Sequence, residues 1–385
     1  SKTVRGRIRV SGSVQSTNPT VLENVNRKNV NIEQIFRLAE DANKIGAESH
    51  SEVILGLPGD SAERHLQSLA DLIDVGFTNI RMYQLILLMG TPIYAQAHEK
   101  GSEFEFGTHF RVIPFDYGNY AFDANTRIVT AEIEEIVTSL KDLSYEEYFR
   151  CRGFDLVVDT FYNQGVFQVL LKLVKDADVS RFAWIRRVWE SVERSSISSI
   201  IEAFIAETKD ELWESYDDLR RFTSKPENIA KFLSGELGGK LIFKYKSILT
   251  NEYLTDLAAI ARDTVIEVID EAGKLDDQLV VLIDDILAYE VLRKANLFKG
   301  DYAPKSFALT YDIERFLNSD MRKVPLSDLK FSEPRKCRFF LDHNQIDAIE
   351  RALNFYGRDL AAMTKIVSYL RVENFYRQFE LLHVP

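Results

Sequence analysis

Residues 13–27 read Ser-Val-Gln-Ser-Thr-Asn-Pro-Thr-Val-Leu-Glu-Asn-Val-Asn-Arg, and residues 52–60 read Glu-Val-Ile-Leu-Gly-Leu-Pro-Gly-Asp. Each is a strand-like run that ends in polar or glycine-rich residues and then opens a helix. Upstream of the first, Arg7 to Val14 alternates loosely and reads as a strand. Asn18 offers an N-cap oxygen, and Pro19 suits the first helical position. Asn31 with Gln34 has capping-box spacing. Ile32, Ile35, Phe36, Ala39, Ala42 and Ile45 then form a helical stripe that Gly46 would stop. Ser51 to Leu57 is the next strand, and Asp60 with Glu63 is expected to cap the helix after it. Leu66, Leu69, Ala70 and Ile73 mark its buried face, and Gly76 its end. Asn79 to Leu87 is a third strand, closed by Gly90, Thr91 and Pro92. The order βαβαβ implies parallel strands.

Residues 101–143 change character. They are rich in Phe, Tyr and Gly and predict an irregular segment with short strands, one near Ile133 to Ser139. Ser144 with Glu147 is another capping box. Helical stretches follow at 154–175, 180–208, 226–234, 252–272 and 276–296. A strand pair is expected at Ser306 to Tyr311 and Arg338 to Asp342, then helices at 344–356 and 358–380. The expected organisation is a parallel α/β part over 1–95, an α+β connector over 96–150 and a mainly helical C-terminal domain over 151–385.

The 385 residues carry a net charge of −11, which argues against nucleic acid as the main partner. There is no apolar run of about 18 residues, so no membrane insertion is expected. No signal-peptide pattern stands at the start, and a cytoplasmic location is the default. The only cysteines, Cys151 and Cys337, exclude a disulfide scaffold and fit a reducing compartment. They are too few for an iron–sulfur cluster. The histidines lack metal-ligand spacing, so no metal ligands are assigned. Trp184, Trp189 and Trp213 read as core. The chain begins at Ser1 and enters strand-like sequence at once, which reads as a fragment.

Several residues could serve a ligand. Gln15 and Ser16 bring a carboxamide and a hydroxyl to a strand end. Arg27 could clamp a carboxylate. Glu52 could hold the two hydroxyls of a ribose. Gly56 lets a ligand approach the backbone closely. Taken singly, each also fits a loop cap or a solvated surface residue.

Together, Gln15, Ser16, Asn18, Val21, Leu22 and Arg27, then Glu52 to Gly59, then Tyr83, Gln84 and Leu85 with Gly90, Thr91 and Pro92 carry a resemblance. Over about residues 7–95 they look like strands four to six of a radical S-adenosylmethionine (SAM) barrel. The similarity is to the coproporphyrinogen oxidase branch and to members with a cobalamin-binding domain, and it extends loosely over 96–150. The resemblance implies the second half of a parallel β/α barrel of the TIM-like kind, followed by a mostly helical domain. It places Gln15 and Arg27 at the amino-acid end of SAM and Glu52 on the ribose, with Ser16 also among the cofactor-binding residues. Gly56 and Pro58 would wall the adenine, and backbone groups of Gln84 and Leu85 would meet it.

The implied cofactors are SAM, a [4Fe-4S] cluster whose ligands lie outside this chain, and, for the cobalamin type, cobalamin in the full-length protein. Family members hold the cluster on a Cys-x-x-x-Cys-x-x-Cys loop. Neither that loop nor the first three strands are present here, so the missing N-terminal half of the barrel becomes an implied partner. The parent enzyme would cleave SAM reductively to act on a small-molecule or peptide substrate, whereas the chain alone would be inactive. The alternative is a non-catalytic helical interaction module with a degenerate barrel remnant. An ordinary β/α-barrel enzyme would need an acid–base partner for Glu52, and the sequence offers none.

Overall fold

The computed structural model describes residues 10–27, 32–44, 47–123, 126–163 and 166–382. The first predicted strand before Val10, the predicted cap at Asn31 and the predicted stop at Gly46 lie outside them. The chain is about 53% helical. It divides into two compact units: residues 1–156 with 201–242, and residues 157–200 with 243–385.

The first unit opens with a parallel sheet of three strands in sequence order: β1 (Val10–Ser11), β2 (Ser49–Leu55) and β3 (Asn79–Gln84). The predicted βαβαβ order is present. Among the described residues no sheet closes into a barrel. Asn18 caps α1 (Pro19–Asn24), its side chain accepting from Val21 N at 3.2 Å. The buried residues Ile35, Ala39 and Ala42 line α2 (Ile32–Lys44), as the stripe predicts. Leu69, Leu72 and Ile73 are fully buried on α3 (Ala62–Val75), which Gly76 ends at a φ of 99°. That left-handed angle is one only glycine adopts without strain.

The aromatic stretch expected to be irregular is a long antiparallel hairpin, β4 (Gly107–Ala121) and β5 (Arg127–Ser139). The register shifts between Val112 and Tyr117, where Pro114 lies and Phe115 takes a φ of 74°. A proline and a bulge interrupt the alternation by which a strand is read from sequence. Helices Tyr216–Thr223 and Pro226–Ser234 cover the hairpin, with Leu219, Ile229 and Phe232 buried against Val112. Main-chain bonds also join β5 to the end of β3: Leu87 N donates to Glu135 O and Val137 N to Leu85 O. Between β3 and β4 lies the short helix α4 (Pro92–Ala97), capped by Thr91. After β5, Ser144 and Glu147 form the expected reciprocal cap at the start of α5 (Tyr145–Val157). Tyr148, Phe149 and Cys151 of α5 join Leu55, Leu57 and Leu85 in one core.

The second unit is mainly helical. The Trp184 indole N–H, on helix Arg181–Val192, donates to Thr264 Oγ1 on helix Leu254–Glu271 at 3.0 Å, with both side chains fully buried. A small antiparallel sheet runs in the order β6 (Lys305–Tyr311), β7 (Lys330–Phe340), β8 (Gln378–Leu381). Asp285, on helix Asp277–Lys294, accepts from Thr310 N and Tyr311 N at 2.7 and 2.8 Å, fixing β6 to that helix. The helix predicted over 358–380 stops at Tyr369, and the chain returns as β8. Phe379 of β8 packs on Phe339 and Tyr289, long-range contacts that outweigh the local helical pattern. No helix among the described residues is long and apolar enough to cross a membrane.

Candidate functional site at the strand ends

The first unit gathers several of the nominated residues around Ser13. Its hydroxyl donates to Glu52 Oε2 at 2.8 Å, and its carbonyl accepts from Arg27 Nη2 at 2.8 Å. Two residues on, Gln15 bridges Val53 of β2: Gln15 N donates to Glu52 O and Ile54 N to Gln15 O, both at 2.8 Å. Gln15 holds a φ of 62°. Left-handed backbone at a residue other than glycine stores strain, which surrounding structure must impose. Here the two main-chain bonds to β2 impose it.

Ser16 faces elsewhere. It is 3% exposed, accepts from Asn18 N at 3.1 Å and lies 3.4 Å from the Ser68 hydroxyl of α3. Thr17 N donates to Ser68 Oγ as well, at 3.0 Å. Ser16 thus holds the strand-to-helix loop against α3.

Gly56 and Pro58 form the turn after β2. Gly56 has a φ of 91°, and its N–H donates to Asp60 Oδ2 at 3.1 Å. Asp60 Oδ1 accepts from Ser61 N at 2.9 Å. The carboxylate therefore closes the turn, and Ser61, not Asp60, caps α3 by accepting from Arg64 N. A one-residue shift moved the cap because Asp60 finds closer donors inside its own turn. The Pro58 carbonyl accepts from Asn24 Nδ2 at 3.0 Å, which ties the turn to α1.

Gln84 and Leu85, nominated for their main-chain groups, stand at the end of β3, Gln84 opposite Leu55. Glu52 lies opposite Arg81, and Ile54 opposite Tyr83. Side chains alternate along a strand, so Arg81 and Tyr83 share the Glu52 face. Both are exposed, Tyr83 at 41%. Gln84 points to the other side, where its Oε1 accepts from Arg111 Nη2 at 3.3 Å. Leu85 is buried; its N–H donates to Leu55 O and its carbonyl accepts from Val137 N. Sequence reading did not nominate Ser13, Arg81 or Tyr83 as site residues. Counting in twos from Glu52 finds them only once the pairing register is known.

A buried polar network lies under the turn. His65 Nε2 is 2.9 Å from Asp155 Oδ1, and Arg152 Nη1 donates to Asp155 Oδ2 at 3.1 Å. Burial pulls the His65 pKa down, but the Asp155 carboxylate and its hydrogen bond, helped by Asp60, outweigh burial and leave it raised. Burial also raises the Asp60 pKa, against the pull of His65 and the turn N–H groups. Such a pair is held by mutual charge in a place that solvates neither ion.

The site can meet SAM in part. Glu52 is half-buried, and among the described residues its Oε1 accepts no hydrogen bond, so it can take a ribose hydroxyl. The Leu85 main chain is already engaged by its two neighbouring strands. An iron–sulfur cluster does not fit this chain. Cys151 and Cys337 fall in different units, and a cluster needs more thiolates than two. Burial pushes the Cys151 thiol well up, with Asp155 adding to it, and pushes Cys337 up to about 11. Both are neutral packing groups.

Parallel strands, a glycine turn and a half-buried carboxylate thus meet in an α/β unit. No protein-family model matches the chain. Over 152 residues it is 29% identical to a 2-(S-pantetheinyl)-carbapenam-3-carboxylate methyltransferase of Streptantibioticus cattleyicolor, covering 39% of this chain and 21% of that protein. Over 82 residues it is 30% identical to the cobalamin-dependent radical SAM methyltransferase TokK of Streptomyces tokunonensis, covering 21% of this chain and 12% of that protein. The matched stretches thus span about a fifth or less of these relatives, and the similarity to the two methyltransferases is distant and partial.

Proposed function

We propose that the first unit supplies part of a SAM site in a radical SAM enzyme, with methyl transfer as the activity of the whole protein. The observation that carries this reading is the Ser13–Glu52 pair beside the strained Gln15, at the ends of parallel strands. The distant similarity to two methyltransferases supports it. Glu52 would accept from the ribose, while Arg27, held on the Ser13 carbonyl, would stand near the amino-acid end. Gly56 and Pro58 would shape the adenine wall. Radical chemistry would come from bound SAM and a cluster ligated by residues outside this sequence. Cobalamin enters by analogy with TokK, as a cofactor of the whole protein. Residues 151–385 would serve the substrate side.

Equilibrium dialysis of SAM against the chain tests the reading. The expected result is weak, saturable binding that Glu52→Gln lowers about tenfold, by removing a charge-assisted hydrogen bond. Absence of saturable binding to a folded chain would overturn it. That outcome would favour a non-catalytic interaction module.

A further inference from the structure

Within the second unit lies a pocket with both polar and apolar lining. Two lysines in its wall are almost wholly buried, Lys246 at 4% and Lys294 at 9% exposure. Lysine is seldom buried unless it is paired. Lys246 Nζ lies 3.2 Å from Asp159 Oδ2, and Lys294 pairs with Glu290. Neither carboxylate lines the pocket.

The two ammonium groups are anchored on one short segment. Lys246 donates to Asp159 O at 2.6 Å and, more weakly, to Asn163 O at 3.4 Å. Lys294 donates to Val166 O and to Glu290. An ammonium carries three N–H donors: Lys294 keeps one beyond its two bonds, whereas Lys246 already has three oxygens around it, Asp159 O, Asn163 O and Asp159 Oδ2. Thr250, Asn251 and Tyr376 complete the polar wall; Thr250 donates to Lys246 O and Asn251 to Ser247 O, both at 2.8 Å. The Tyr376 ring stands 5.1 Å from Lys294 Nζ. The rest of the lining is apolar and includes Leu254, Leu297, Phe298 and Val372.

No acidic residue lines the pocket, Lys294 has a donor to spare, and the charges of both lysines are balanced by Asp159 and Glu290, so the complement of this wall is an acceptor group such as a carboxylate. The apolar wall complements a hydrocarbon body. We propose that this pocket binds a small organic carboxylate, its head group on Lys246 and Lys294 and its body against Leu254, Leu297 and Phe298. The site is independent of the SAM reading, which concerns the other unit.

Isothermal titration of the full chain with benzoate tests the proposal, with benzylamine, benzyl alcohol and inorganic phosphate as comparators. Benzoate should bind saturably with a Kd on the order of a millimolar or tighter, the others at least about tenfold more weakly. Val372→Trp, which fills the pocket and leaves both lysines, should weaken benzoate at least about tenfold. The double variant Lys294→Met/Glu290→Gln, which removes the ammonium with its acidic partner, should do the same. Thermal melting checks that each variant folds, and Val372→Trp decides if the double variant does not. Equal binding of benzylamine or benzyl alcohol would overturn the anion assignment, and equal binding of phosphate the organic body. Unchanged benzoate affinity in folded Val372→Trp, or no saturable benzoate binding, would overturn the site itself.

Discussion

Ser13 does two things at once: its hydroxyl aims Glu52, and its carbonyl holds Arg27. At this scale the sequence was informative about residue type and poor about direction. Glu52 and Arg27 stand by the strand end the motif indicated. Ser16 turns to α3, and the Leu85 main chain is taken by neighbouring strands, because register and loop path decide where a group points. His65 carries no motif, and only the fold brings it to Asp155. Its folded pKa lies above the ordinary 6.5. The stabilisation from its charge is therefore complete below pH 6.5 and is lost as pH rises through the raised value. Urea unfolding at about pH 6 and about pH 9 should show wild type losing stability with pH, and His65→Gln largely without that loss. At about pH 6 the variant should be weaker by about 3 kcal/mol, since Asp155 loses one buried partner. A pH response identical in both proteins would contradict the assignment.

Among the elements, the β4–β5 hairpin was the least legible from sequence and has much to hold. Its bulge near Pro114 and Phe115 breaks the alternation, and most of its buried partners come from helices about a hundred residues later in the chain. Arg111 is its inner tie. Its Nε donates to Glu134 Oε1 at 2.6 Å, Nη1 to Glu211 Oε1 at 2.9 Å and Nη2 to Gln84. Burial works against this cation, yet Glu211 and Glu134 hold it charged. Arg111→Met leaves both carboxylates without their partner and should cost about 3–5 kcal/mol in chemical denaturation. Adding Glu211→Gln to that variant should recover part of the loss, because one uncompensated buried charge is removed. A cost below about 1 kcal/mol would mean that water solvates the site as well as Arg111 does.

For the whole molecule, the sequence pattern conveyed a parallel α/β start and a helical remainder, since helix caps and stripes are local signals. Caps at Asn18 and Ser144 and the stop at Gly76 are where they were expected. Long-range packing carries no local signal. Residues 201–242 belong with the first unit, and the last predicted helix gives way to β8 on the edge of a small sheet. The second unit bore no recognisable motif, yet its two buried lysines form a built wall around a pocket. They come from helices far apart in sequence, so the juxtaposition exists only in the fold.

The central claim is that the ends of β1 and β2 form part of a SAM site. Hydrogen–deuterium exchange of the 385-residue chain, with and without SAM at several times its dialysis Kd, tests it most directly. The account predicts slower exchange at residues 13–16 and 52–56, and no such change in Glu52→Gln at the same SAM concentration. Unchanged exchange at those strand ends in a chain that binds SAM, with protection confined to the second unit, would contradict it.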